Sequence, residues 1–189
     1  MKKFLLFIWE ITKVTVLSLA IILPVRYFLI QPFYVKGASM EPNFHDNEYL
    51  IIDELSYRFS EPVRGQVVVF RYPKNPQEYF IKRVVGLPGE KIKIEGGQIT
   101  VFNDENPNGF TLTESYLPDD LETFDSIESL INIDVDEYFV LGDNRGSSKD
   151  SRSFGPVNKS FITGKVLFRG WPLSRITFFG KNYWPSYEQ

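Results

Sequence analysis

Three short stretches carry the residue types that chemistry needs. The first is Gly37-Ala38-Ser39-Met40-Glu41-Pro42, where one serine sits among small and turn-forming residues. The second is Phe80-Ile81-Lys82-Arg83-Val84-Val85-Gly86-Leu87-Pro88-Gly89-Glu90. The third runs from Gly142-Asp143-Asn144 through Ser148 to Asp150-Ser151-Arg152. A serine hydroxyl is a weak nucleophile and needs a base. His45 is the only histidine in the chain, but it lies in a polar, turn-like stretch, Phe44-His45-Asp46-Asn47, and reads as an exposed loop residue. A lysine can take the base's place in Ser-Lys dyads. A free lysine titrates near ~10.4, while a working base belongs near ~7–8. That difference of ~3 pH units is about 4 kcal/mol, which burial among apolar groups supplies by disfavouring the charged form. In a strand, Lys82 shares a face with Phe80 and Val84, while Ile81, Arg83 and Val85 point the other way. Lys74, Lys91 and Lys93 sit in solvated contexts and are poorer bases.

These residues must be positioned by the elements around them. Pro32-Phe33-Tyr34-Val35, Tyr49-Leu50-Ile51-Ile52, Arg64 to Phe70 and Tyr79 to Val85 read as short strands. Lys91-Ile92-Lys93-Ile94 alternates charged and apolar, and Glu95-Gly96-Gly97-Gln98 is a hairpin turn into Ile99-Thr100-Val101. Tyr138-Phe139-Val140-Leu141 delivers the third stretch, and Val166-Leu167-Phe168-Arg169 is the expected last core strand. Short strands, glycine turns and no long amphipathic helix after residue 30 predict a mainly β, antiparallel domain over 31–189. Residues 103–136 contain many acids and no Lys or Arg, and are expected to form a solvated surface insertion.

Before this domain, Phe4 to Ile30 is longer than the ~20 residues that cross a bilayer. Glu10 and Lys13 interrupt it three residues apart, where a helix lets them pair. Residues 1–30 are therefore expected to form a retained membrane anchor. No small-x-small cleavage site follows its apolar core. Lys2 and Lys3 favour a cytoplasmic N-terminus, with the rest of the chain on the outer face of the cell membrane. The aromatic tail, with Trp171, Phe178, Phe179, Tyr183 and Trp184, suits either core packing or a membrane interface. A net charge of −3 gives no nucleic-acid footprint, and with no cysteine and one histidine neither a thiol nucleophile nor a multi-histidine metal site can be built. No metal or cofactor is implied.

Taken together, the three stretches resemble the conserved boxes of bacterial type I signal peptidases, which are membrane-anchored Ser-Lys endopeptidases. The second and third stretches match most extensively; the first departs at Asn43, where the family usually has threonine or alanine. The resemblance implies Ser39 as nucleophile and Lys82 as general base, with Ser148 hydrogen-bonding and orienting the lysine amine. It implies a structural ion pair between Asp143 and Arg83, with Asp150 and Arg152 fixing the third stretch. The oxyanion hole would use the Ser39 backbone N–H, and a second donor would come from the backbone at Gly37 or be lacking. Substrates would be signal peptides of exported preproteins with Ala-x-Ala before the scissile bond, cleaved through an acyl-enzyme. Their small side chains would enter shallow pockets formed by Phe33, Val35, Phe80 and Ile81. The bilayer is an implied partner, and contact with the protein translocation machinery is left open. Two other readings remain: a self-cleaving repressor of the LexA type, which the apolar N-terminus disfavours, and a membrane-anchored β-domain that binds a partner without catalysis.

Overall fold

The computed structural model describes residues 2–28, 30–118, 121–124, 130–180 and 183–184. Asp119, Asp120, Asp125 and Glu128 of the acidic stretch lie outside them. One helix, α1 (Lys2–Phe28), opens the chain. Its segment Lys2–Leu23 is long and apolar enough to cross a membrane, and none of it is buried against the rest of the protein. A helix so apolar on all sides has no water-facing stripe. Lys13 and Glu10 pair on it at 3.0 Å, as their spacing predicts.

The remainder is built from antiparallel strands. β1 (Ile30–Tyr34) and β2 (Tyr49–Asp53) flank the turn with the first motif, and β3 (Val67–Tyr72) pairs with β4 (Asn75–Gly86), which carries Lys82. β5 (Lys91–Glu95) and β6 (Gln98–Phe102) form the expected hairpin. β7 (Phe110–Thr111), β8 (Ile131–Asn132), β9 (Glu137–Leu141), β10 (Val157–Asn158), β11 (Ile162–Trp171) and β12 (Thr177–Phe178) follow. Among the described residues, the larger sheet has the order β1-β2-β11-β3-β4-β9-β10, with β12 added to β11, and the smaller has the order β7-β6-β5-β8.

β3 is buried on both faces, and its alternation divides the core. Val67 and Val69 join Val35, Met40, Phe44, Leu50, Ile52 and Val166 on one side. Val68 and Phe70 join Val84, Tyr138, Val140 and Val157 on the other. The small sheet closes over a third cluster around Ile92, Ile99, Val101 and Phe139. The aromatic tail divides between the core and the surface. Phe179 and Trp184 stack in the core with ring centroids 5.5 Å apart, whereas Trp171, Phe178 and Tyr183 are exposed.

The acidic stretch is more than a solvated excursion. Its ends supply β7 and β8 to the small sheet, and Leu112 and Ile133 enter that sheet's core. Leu112 and Ile133 point inward there, while Asp104, Glu105, Glu122, Asp134 and Asp136 stay exposed.

A buried charge cluster braces the turn between β1 and β2. Glu48 is paired with Arg169 at 3.0 Å and Arg175 at 2.8 Å, and the Arg169 guanidinium lies 5.4 Å from both the Phe44 and Phe179 rings. Burial pushes the Glu48 carboxyl above its ordinary value, and Arg169 opposes the rise. Removing one partner of a buried pair strands the other charge. Arg169→Ala should cost ~3 kcal/mol, the low end for such a loss because Arg175 still reaches Glu48. Urea unfolding of the two proteins in detergent checks this.

Candidate active site

Lys82 owes its position to a register feature. β9 pairs with β4 only from Arg83 onward, with Arg83 opposite Leu141, and leaves the sheet at Gly142. Lys82, opposite Val68 on β3, therefore faces the space that β9 vacates. Into that space come the turn after β1, which carries Ser39, and the loop after β9.

Lys82 Nζ lies 2.7 Å from Ser39 Oγ and also donates to Ile81 O at 2.7 Å. The side chain is only 4% exposed, and its amine lies 5.4 Å from the Phe80 ring centroid. Burial lowers the amine's pKa from its ordinary 10.5 to about 8, against the opposing pull of Asp150 and Asp143. Neutral Lys82 has a lone pair in reach of the serine proton.

Two ion pairs set the walls. Arg83 Nε and Nη2 grip Asp143 at 2.8 and 2.6 Å, both side chains are buried, and Arg83 Nη1 donates to Gly65 O at 2.8 Å. The bidentate geometry and the third bond satisfy the fork that a buried guanidinium presents. Asp150 is gripped in the same way by Arg152, at 2.8 Å to each oxygen, and accepts from Gly142 N–H at 3.0 Å. Asp150 also caps the short helix α2 (Ser151–Phe154).

The loop after β9 holds the backbone of the serine turn directly. Asn144 N–H donates to Ser39 O at 3.1 Å, and Asn144 Nδ2 donates to Ala38 O at 3.1 Å. Gly142 is the point of closest approach. A Cβ there would lie 2.4 Å from Ser39 O and 2.1 Å from Ser148 Oγ. Overpacking costs ~1–3 kcal/mol, and here it would push on the serine itself. Gly142→Ala is expected to cut peptide cleavage by about 100-fold, the effect of a ~1 Å misplacement. Steady-state rates at a temperature where the variant stays folded check this.

Two expected roles are not met by this geometry. Among the described residues Ser148 Oγ is buried without a hydrogen-bond partner, so the bond to Lys82 is not made in this geometry; Lys82 donates to Ile81 O. Gly37 N–H donates to Asp46 Oδ1 at 2.7 Å, so it does not face the site as an oxyanion donor. Gly37 serves the turn through its φ of +86°, a left-handed conformation that disfavours a side chain even though space is open there. His45 is half-exposed beside Glu41, at 3.5 Å, away from the lysine amine's partners.

Phe33, Val35, Phe80 and Ile81 line one cleft of about 420 Å³ together with Ser39, Lys82, Glu78 and Lys149. Phe33 on β1 and Tyr79 on β4 meet edge to face at 5.2 Å across it.

Residues that sequence reasoning passed over also converge here. Arg145 binds Glu114 with bonds of 2.7 and 2.5 Å, donates to Thr123 Oγ1, and reaches Gly142 O at 3.1 Å. Arg83 stacks on the Tyr116 ring at 3.8 Å. Position within the third stretch was the one available signal for Arg145. Nothing in the acidic stretch marks Glu114 or Tyr116 apart from its other residues.

Fold and site together bring a serine and a buried lysine into contact, the pairing that a Ser-Lys hydrolase requires. Comparison with known proteins agrees. Residues 8–171 match the family described as signal peptidase, peptidase S26. A signal peptidase I of Leptolyngbya laminosa is 36% identical over 180 residues, 90% of this chain and 82% of that protein. A probable signal peptidase I-2 of Synechocystis sp. is 34% identical over 174 residues, 88% and 75% of the two chains. A signal peptidase IB of Staphylococcus aureus is 33% identical over 172 residues, 85% and 88%. A crystal structure of a signal peptidase I from Enterococcus faecalis is 28% identical, covers 56% of this chain and 97% of its own, and superposes with a TM-score of 0.46. The chain belongs to the signal peptidase family, a family of serine endopeptidases.

Proposed function

We propose that this chain is a membrane-anchored endopeptidase that removes signal peptides from exported preproteins, using Ser39 and Lys82 as a catalytic dyad. The observation that carries the reading is the 2.7 Å contact between Ser39 Oγ and a buried amine whose pKa is held at about 8.

In the reaction, neutral Lys82 takes the Ser39 proton as Oγ attacks the scissile carbonyl carbon. The carbonyl oxygen becomes an oxyanion, stabilised by the Ser39 backbone N–H. The tetrahedral intermediate collapses, the C–N bond breaks, and the Lys82 ammonium gives its proton to the leaving amine. An acyl ester on Ser39 remains. Lys82 then deprotonates a water that attacks the ester, and the proton returns to Ser39 as the signal peptide's new carboxylate leaves. Asp143–Arg83 and Asp150–Arg152 support the dyad as a frame, while Ser148 has no assigned step.

Substrate selection follows from the cleft. β1 is the terminal strand of its sheet, and β4 has no β9 partner before Arg83, so an extended peptide can add a strand at either edge. Phe33, Val35, Phe80 and Ile81 then leave room for alanine side chains before the scissile bond. The anchor would hold this cleft at the outer face of the cell membrane, with the N-terminus in the cytoplasm and residues 31–189 outside. Tethering next to emerging preproteins raises their effective concentration.

The test compares peptides ending their signal in Ala-x-Ala with the same peptides carrying leucine at either alanine. Burying misfitting methylene groups in a fixed pocket costs ~1–3 kcal/mol each. A loss in kcat/KM of roughly 10-fold or more per substitution is expected. Equal cleavage of the leucine peptides would reject the pocket assignment. Equal cleavage by Ser39→Ala would reject the dyad.

A further inference from the structure

The turn that carries Ser39 leaves through Asn43, whose contacts reach the Asp143–Arg83 pair, the acidic stretch and the Glu48 charge cluster. Its Nδ2 donates to Asp143 Oδ2 at 2.9 Å and to Tyr116 O at 2.9 Å. Its backbone oxygen accepts from Arg169 at 2.9 Å and Arg175 at 3.2 Å, the two arginines paired with Glu48. Asp143 Oδ2 is the oxygen that Arg83 Nη2 also grips, and Arg83 is the neighbour of Lys82 in β4. We infer that Asn43 is a positioning residue: it ties the Ser39 turn to the Asp143–Arg83 pair beside Lys82 and locks both to the acidic segment at Tyr116.

A nucleophile on a turn has no helix or strand of its own to hold it, and needs supporting contacts to stay within ~0.5 Å of a productive geometry. On the entry side, Asn144 supplies them by gripping Ala38 O and Ser39 O. On the exit side, Asn43 does so, because Glu41 N–H bonds Ala38 O across Ser39 and Phe44 N–H bonds Met40 O, so two overlapping turns connect Asn43 to the serine. Both asparagines act through the same loop, since Asn144 follows Asp143. The acidic segment is fastened to that loop a second time by Arg145 and Glu114. Glu114, Tyr116 and Thr123 of the acidic stretch are thus each tied to the site's frame, and Asn43 links Tyr116 to the nucleophile turn.

This inference rests on the dyad reading, and its test keeps the two apart. Wild type, Asn43→Ala, Asn43→Thr, Leu112→Ala and Ser39→Ala are compared in detergent, on an Ala-x-Ala peptide, below the Tm of each. Leu112 belongs to the small sheet's core and has no part in this frame, so Leu112→Ala controls for general loosening. Asn43→Ala should lower kcat by about 10- to 100-fold with KM within roughly threefold, the signature of a misplaced reacting group. Asn43→Thr, which keeps one donor for Asp143, should recover at least a tenth of wild-type kcat and exceed Asn43→Ala. Leu112→Ala should lower Tm and leave kcat within about twofold. Wild-type kcat in Asn43→Ala overturns the inference, as does an equal fall in Leu112→Ala. Asn43→Thr no better than Asn43→Ala also overturns it. Full cleavage by Ser39→Ala overturns the dyad reading, and this inference falls with it.

Discussion

Lys82→Met abolishes peptide cleavage and at the same time makes the folded protein more stable below pH 8. The first effect should be about 10⁴- to 10⁶-fold in kcat, the range for removing a member of a nucleophile–base pair. The second follows from the same burial. The amine titrates at about 8 in the folded protein and near 10.5 when unfolded. Between those values the unfolded chain binds more protons, so wild-type stability rises with pH through that window. Below pH 8 the wild type carries the full cost, ~3 kcal/mol from the gap between the two values. Methionine removes that cost but loses the hydrogen bonds to Ile81 O and Ser39 Oγ, worth ~1 kcal/mol each. A net gain of ~1 kcal/mol at neutral pH is therefore expected, shrinking toward pH 10. Denaturant unfolding of both proteins at pH 7 and pH 10 checks the sign. A destabilised methionine variant at pH 7 would mean that the ammonium is not disfavoured by its surroundings.

The second large effect is at Asp143. Asp143→Asn keeps the shape but leaves the Arg83 guanidinium buried without its counter-charge, and such a loss costs ~3–5 kcal/mol. Asp143 also favours the charged form of Lys82. Without it the amine should titrate below 8, so the rising limb of the pH–rate curve should move to lower pH while the plateau falls. Urea unfolding and a pH series on one sample read both. An unmoved limb would show that Asp143 does not reach Lys82 electrostatically.

The sequence makes the site legible more readily than its supports. Ser39, Lys82, Asp143, Arg83, Asp150 and Arg152 stand in recognisable stretches, and strand alternation predicts which face of β4 carries Lys82. The long strands are readable for the same reason, because their apolar residues repeat at the period of the pleat. β7, β8, β10 and β12 are two residues each, too short to show a period. The acidic stretch misleads because charge marks its exposed face, while the contacts that matter come from single residues, Glu114, Tyr116 and Thr123. Partners so far apart in the chain, such as Asn43 and Asp143, have no local signature. The roles expected of Gly37 and Ser148 depend on where an N–H or hydroxyl is committed, which only three-dimensional packing decides.

The most direct test of the dyad is the pH dependence of kcat/KM for the wild type on an Ala-x-Ala peptide. That ratio reports the base of the free enzyme. Since the neutral amine is the active form, the rate should rise as pH increases through about 8 and then level, and His45→Ala should leave the curve unchanged. A limb centred near ~6.5, the ordinary range of histidine, that disappears in His45→Ala would contradict Lys82 as the base.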